Sequence, residues 1–148
     1  MRKHDPRAVC FQVPGKPVGK GRPRAAKRGK HITLYTPEAT ATYESTVALA
    51  ASQAMAGQPL IDGPVEVVMR IVLPIPVSWP KRNQAGALEG KVLPVVKPDS
   101  DNVVKAVFDA INGVVWHDDT QVVDMHVRKR YGAVPCVNVI VSQLEPQA

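Results

Sequence analysis

Lys97-Pro98-Asp99-Ser100-Asp101-Asn102-Val103-Val104-Lys105-Ala106-Val107-Phe108-Asp109-Ala110-Ile111-Asn112 is the stretch that decides how this chain is read. Val104, Val107, Phe108 and Ile111 recur at helical spacing, so a helix with one apolar stripe is predicted from Asp101 to Asn112. Asp101 is a good N-cap, and Asn112-Gly113 supplies a left-handed stop. Pro98 keeps Lys97 extended, which brings the chain into the helix as a defined turn. Asp99 and Asp101 stand two apart in a non-helical segment, so their carboxylates can point the same way. Lys105 lies one turn beyond Asp101 on the same helix face, and Asp109 a further turn along. A turn-like acidic knot, His117-Asp118-Asp119-Thr120, follows the helix.

Two carboxylates that face one spot repel unless a cation sits between them. Oxygen-only ligation suits Mg²⁺. The spacing lacks the twelve-residue ladder of a calcium loop and the His and Cys pattern of a zinc site. Lys105 could then present an ammonium to a metal-bound phosphate, and Asp119 could return to complete the ligand set, with Asp118 as an outer partner. Plainer readings stand beside this one. Asp101 may serve only as a cap, Asp118 and Asp119 as a solvated turn, and Lys105 as a surface partner of Asp101 or Asp109.

Outward from this stretch, the remaining elements follow from pattern and punctuation. Val9 to Val13 is a short strand ended by Pro14-Gly15, and Ile32 to Tyr35 a second extended piece. Thr36-Pro37-Glu38 opens a helix, with Thr36 as N-cap, that runs to about Met55 before Gly57. Its packing face is Tyr43, Val47, Ala50, Ala51 and Ala54. Val65 to Leu73 is strongly β-branched and reads as a strand. Residues 78–98 read as a long loop rich in Pro, Gly and Lys. Val122 to Tyr131 alternates, with Val123, Met125 and Val127 on one face and Asp124, His126, Arg128 and Arg130 on the other. Cys136 to Val141 closes a final hairpin. The order β-α-β-α-β-β predicts an α+β fold, a mixed sheet with helices packed on it, in one domain over residues 1–148 with a flexible tail at 1–8.

The chain has 148 residues with 19 Lys and Arg against 13 Asp and Glu, a net charge of +6. Its apolar fraction of 45% is that of a globular protein and excludes a wholly disordered chain. No apolar run approaches the ~18 residues of a membrane span, and no secretory h-region follows the N-terminus, so a cytoplasmic protein is expected. Cys10 and Cys136 lie in apolar runs without CxxC spacing and read as buried free thiols. Ten of the 19 basic residues fall in residues 1–35 with one acid, Asp5, whereas six of the 13 acids are aspartates between 99 and 124. The basic stretch from Gly15 to Lys30 is broken by Gly and Pro and reads as an exposed loop. Its Lys16, Lys20, Arg22, Arg24, Lys27, Arg28 and Lys30 are candidate phosphate contacts, since cations that neutralise phosphates release counterions.

Taken together, these strings resemble the RusA family of Holliday junction resolvases. The pattern is D-x-D-N, a Lys three residues after the Asn, an Asp four further on, and D-D-x-Q-V about ten residues later; Asp99 to Asn102, Lys105, Asp109 and Asp118 to Val122 match every element. The opening Gly15-Lys16-Pro17, Gly21-Arg22-Pro23-Arg24 and Tyr35-Thr36-Pro37 is similar to phage-type members. The resemblance covers roughly residues 9 to 142 and implies a homodimeric, Mg²⁺-dependent endonuclease, with Mn²⁺ a substitute, that cuts four-way DNA junctions symmetrically. It implies Asp99, Asp101 and Asp119 as metal-binding catalytic carboxylates, Lys105 as the catalytic lysine, and Asn102, Asp109 and Asp118 as outer partners of the site. The segment from 74 to 98 and the basic loop are longer than a minimal member needs. A DNA-binding module with a structural acidic cluster, or a metal nuclease for other branched DNA, are the alternatives.

Overall fold

The computed structural model describes residues 7–22, 24–35 and 37–144, the side chains of Arg24, Arg28, Thr33 and Tyr35 apart. Six strands and three helices follow in chain order: β1 (Ala8–Pro14), β2 (Arg24–Arg28), β3 (His31–Tyr35), α1 (Glu38–Met55), β4 (Val65–Pro74), α2 (Lys81–Leu88), α3 (Ser100–Ile111), β5 (Val122–Gly132) and β6 (Cys136–Gln143). Residues 1–6 of the expected tail lie outside the described residues, whereas Ala8 already belongs to β1.

The main sheet has the order β1-β6-β4-β5. β6 runs antiparallel to both β1 and β4, and β5 runs parallel to β4. The sheet is therefore mixed, as expected, but the expected terminal hairpin is not formed, because β4 stands between β5 and β6. The reason lies in the side chains. β4 buries Val65, Val67, Met69, Ile71, Val72 and Leu73, so it takes a central place with both edges paired. β5 carries Asp124, His126, Arg128 and Arg130, and a charged strand belongs at an edge. Val123 and Met125, expected to face the core, are 59% and 51% exposed there. A register shift between Val65 and Glu66 leaves Val123 unpaired, and β5 has no outer neighbour to cover it.

Parallel strands need a crossover. Here it runs from β4 through α2 and α3 to β5, and it lays α3 on the face of the sheet that holds the core. α3 buries Val103, Val104, Ala106, Val107, Phe108 and Ile111, which includes every residue of the predicted stripe. It packs against α1, which also covers β1. α1 begins one residue later than expected, with Pro37 at the N-cap; Thr36 lies outside the described residues. Its buried face is Thr40, Tyr43, Val47, Ala51 and Met55. Met55 thus takes the place expected for Ala54, because a strict four-residue step from Ala51 lands on it.

Two loop expectations are revised. Within 78–98 the chain forms α2, which starts behind Pro80, buries Ala87 and is anchored by Trp79, whose ring meets Tyr131 of β5 edge-on at 5.3 Å. Pro80 opens this helix instead of marking a loop. Within 15–30, β2 pairs with β3 as a separate two-stranded ribbon, turned at Gly29, whose φ is 61°. Cys136 is buried as expected, but Cys10 is exposed on the uncovered sheet face. Among the described residues, no helix is long and apolar enough to cross a membrane.

Among the described residues, one buried side-chain group lacks a partner. The Tyr43 hydroxyl is buried without a hydrogen bond, and burial pushes its phenol far above the usual range. Tyr43→Phe removes that orphan group and keeps the ring, so it should raise stability by about 1 kcal/mol. Urea unfolding measures the gain, and a loss would mean that the hydroxyl is satisfied after all.

Candidate active site

The site is built on the exposed ridge of α3. Asp101, Lys105 and Asp109 recur every four residues and all face solvent, while the positions between them fill the core. The ridge from Asp101 to Asp109 spans about 12 Å at 1.5 Å per residue. Asp99, not Asp101, is the N-cap of α3, and its side chain makes no cap hydrogen bond. Asp101 sits in the first turn, where the helix dipole favours a negative charge. Neither carboxylate is needed to cap the helix, so both are open to a ligand.

The basic N-terminal strap crosses this end of α3. The Lys20 amide donates to the Asn102 carbonyl at 2.8 Å, and the Gly21 amide donates to Thr40 Oγ1 at 3.0 Å. That second bond explains the one buried polar side chain of α1. The close approach leaves no free room for a side chain at Gly21 and little at Gly19. A Cβ on Gly19 would lie 3.1 Å from the Asn102 Cβ, and one on Gly21 would lie 2.8 Å from Pro37 Cγ. The strap and the helix end enclose a cleft of about 410 Å³ lined by Lys20, Gly21, Arg22, Asp99, Asp101, Asn102 and Lys105. A wider groove of about 670 Å³ continues past Lys16 and Lys97.

This placement joins two groups that the sequence holds some eighty residues apart, the cations of the strap and the aspartates at the start of α3. It also redistributes them. Lys20 is not a free phosphate contact: its ammonium meets Glu44 Oε1 at 2.5 Å and Asp109 Oδ2 at 3.0 Å. Burial works against its charge, but the hydrogen bonds and charges of Glu44 and Asp109 outweigh burial and raise its pKa. Glu44 was invisible to sequence reasoning, because a lone acid on an amphipathic helix carries no signal. Lys105 forms no ion pair with Asp101 or Asp109 among the described residues, which leaves its ammonium to the cleft. Lys16 and Arg22 are exposed at the groove, and Lys27 and Lys30 are exposed on the β2–β3 ribbon. The side chains of Arg24 and Arg28 lie outside the described residues.

The span that matches a known family ends where the resemblance does and begins a few residues later. The profile described as "Endodeoxyribonuclease RusA" matches residues 14–142. The chain belongs to the RusA endodeoxyribonuclease family. It is also similar to the Bacillus subtilis (strain 168) protein named "Uncharacterized protein YqaN", with 38% identity over 138 residues, 92% of this chain and 96% of that one. The family is one of DNA-cutting hydrolases.

The second acidic element, Asp118-Asp119, lies in the turn that follows α3 and opens a short helical turn over Asp119–Gln121. Asp119 is half-buried, and burial raises its pKa, reinforced by the charges of Asp118 and Asp109, while a hydrogen bond with Asn112 pulls it back. The acids that act on it are Asp118, beside it in the turn, and Asp109 of α3. Among the described residues, no three His, Cys, Asp or Glu side chains converge closely enough to hold a metal ion. Asp99, Asp101 and Lys105 line the cleft at the start of α3, and Asp119 is acted on by Asp118 and by Asp109 of the same helix.

Gln121, the polar residue of the D-D-x-Q element, explains why the second turn is fixed. Its Nε2 donates to the carbonyls of Ile61 and Gly63 at 2.8 and 2.9 Å. Its Oε1 accepts from the amides of His117 and Asp118 at 2.8 and 3.1 Å. Both ends of the amide are used, so the turn is pinned to the segment before β4. His117 is occupied as well, with Nε2 at 2.6 Å from Asp62 Oδ1.

The Asp119 shift has a measurable sign. A carboxyl whose folded pKa is raised stabilises the fold fully below its unfolded pKa and loses that contribution as pH rises through the folded value. Asp119→Asn should therefore gain stability relative to wild type on going from about pH 4 to pH 7. Denaturant midpoints at the two pH values test this. An advantage that shrinks toward neutrality would refute the crowding of Asp119 by its neighbours.

Proposed function

We propose that the chain is a divalent-metal-dependent endodeoxyribonuclease that resolves four-way DNA junctions by paired symmetric hydrolysis, acting as a homodimer in DNA recombination and repair. The observation that carries this reading is the cleft at the start of α3, where two uncommitted carboxylates, an unpaired lysine and the basic strap line one space. Cation and carboxylate together are what a phosphodiester and a metal require.

The donor set fits a hard cation. Asp99 and Asp101 offer oxygen only, and Mg²⁺ is commonly held by one or two carboxylates with waters and substrate phosphate completing its shell. Such an ion, with Mn²⁺ as a substitute, polarises the scissile phosphate and lowers the pKa of its water. The protein's own groups do the rest. Lys105 stabilises charge that grows on the phosphate oxygens. Lys16 and Arg22 hold the strand along the groove and keep its phosphate over the two aspartates. Lys20 holds the strap down between α1 and α3, which makes it a positioning residue. Asp119 is proposed as the carboxylate that completes the metal's ligand set, with Asp118 and Asp109 as its outer partners.

The deciding experiment incubates the protein with a synthetic four-way junction and with linear duplex, each with Mg²⁺. Paired nicks at symmetric positions are expected in the junction and none in the duplex. A protein that binds junctions but nicks none with Mg²⁺ or Mn²⁺ would be a binding module. Nicks in flaps or forks at equal rate would make it a nuclease for branched DNA in general.

A further inference from the structure

The charged face of β5 is absorbed neither by the core nor by the cleft. His126, Arg128 and Arg130 alternate along this edge strand, with Arg70 of β4 directly opposite Arg128. They lie on the sheet face that α1 and α3 leave uncovered, because their β4 partners Val68, Arg70 and Val72 alternate with the core residues Val67, Met69 and Ile71. With the end of α2 they enclose an open groove of about 660 Å³, lined also by Val68, Leu88 and Glu89. The acids that share this face or rim are few. Glu66 and Asp124 stand opposite each other at the start of the strands, on this same face and two residues before the groove's Val68 and His126, and Glu89 is bound to Lys91 at 2.9 Å. Among the described residues, no carboxylate lies within ion-pair distance of Arg70, Arg128 or Arg130.

Like charges directly opposite on neighbouring strands destabilise a sheet. A row of arginines with no carboxylate in ion-pair distance among the described residues is held against its own repulsion, and an anion laid along it would remove that cost. The side chains repeat every two residues, about 6.6 Å, along an extended line. That geometry suits a chain of phosphates, not a single small anion. The ridge of α3 faces the opposite side of the molecule, so the strand in the cleft cannot also occupy this groove.

We propose that the groove between α2 and the outer face of β4 and β5 is a second DNA site, which takes the phosphate backbone of a duplex arm distant from the one being cut. This rests on the nuclease reading, since a branched substrate offers arms beyond the one in the cleft. A second copy of the chain is the less suitable occupant, because a twofold contact here would set arginine against arginine.

The test uses the double variant Arg70→Ser/Arg128→Ser and the single variant Arg70→Gln, both at exposed positions. Binding of a synthetic four-way junction is measured without divalent metal over about 50 to 200 mM salt, with sedimentation equilibrium on each protein. The double variant should bind about tenfold or more weakly at low salt. Its slope of log affinity against log salt should be shallower by about 2, and that of the single variant by about 1. A slope unchanged from wild type overturns the groove as a DNA site. An altered oligomeric state with an unchanged slope overturns it too and assigns the face to a second copy. A wild-type protein that binds no DNA would sink the nuclease reading itself, whereas wild-type binding with indifferent variants sinks the groove alone.

Discussion

Asp101→Asn should lose junction cleavage by about three orders of magnitude while it binds the junction as tightly as wild type. The substitution keeps the size of the side chain and its place in the first turn of α3, so the fold has no reason to change. Asp101 makes no cap hydrogen bond and no ion pair among the described residues, so no contact of the fold is lost. What is lost is one of the two anionic oxygen donors in the cleft. Metal polarisation of a phosphate supplies several kcal/mol, and about 4 kcal/mol is about a thousandfold in rate. Affinity rests on Lys16, Arg22 and the other exposed cations, and removing a negative charge beside them cannot weaken phosphate binding. Single-turnover cleavage and metal-free binding on the same junction separate the two effects. Equal loss of both would mean that Asp101 shapes the cleft instead of holding a metal, and undiminished cleavage would move the chemistry elsewhere.

The reading of the site from sequence succeeded where the signal was local and failed where it depended on three-dimensional neighbours. The α3 stripe, the exposed ladder Asp101, Lys105 and Asp109, and the mixed sheet followed from spacing alone. A helix of fixed pitch converts sequence distance into position without help from the rest of the chain. The grip of Glu44 on Lys20 and the fourfold use of Gln121 join segments 24 and 60 residues apart, and nothing in either segment announces the other. The strap was legible as basic, but not as the lid of the cleft. The exchange of the expected β5–β6 hairpin for a central β4 has the same cause. Strand order is settled by competition for the buried positions, and the winner is visible only when all four strands are weighed together.

Trp116→Ala should cost about 3–5 kcal/mol of stability, a large share of what a domain of this size possesses. Trp116 is fully buried and packs edge-on against Phe108 of α3 at 5.1 Å. Its indole N–H donates to Asn112 Oδ1 at 2.5 Å, and its carbonyl accepts from the Gly113 amide. The residue therefore plugs the end of α3 and carries the chain into the turn that presents Asp118 and Asp119. Alanine would leave a cavity and strand the Asn112 side chain at once. Trp116→Phe keeps most of the volume but not the donor, so it should cost about 1–3 kcal/mol, and the loss should shrink when Asn112→Ala is added. Denaturant unfolding of the two single variants and the double closes that cycle. Additive losses would mean that the indole acts by volume alone. A small loss in Trp116→Ala would mean that the turn is held from outside, by Gln121 and its four hydrogen bonds, and that the second acidic element stands independently of the core beneath it.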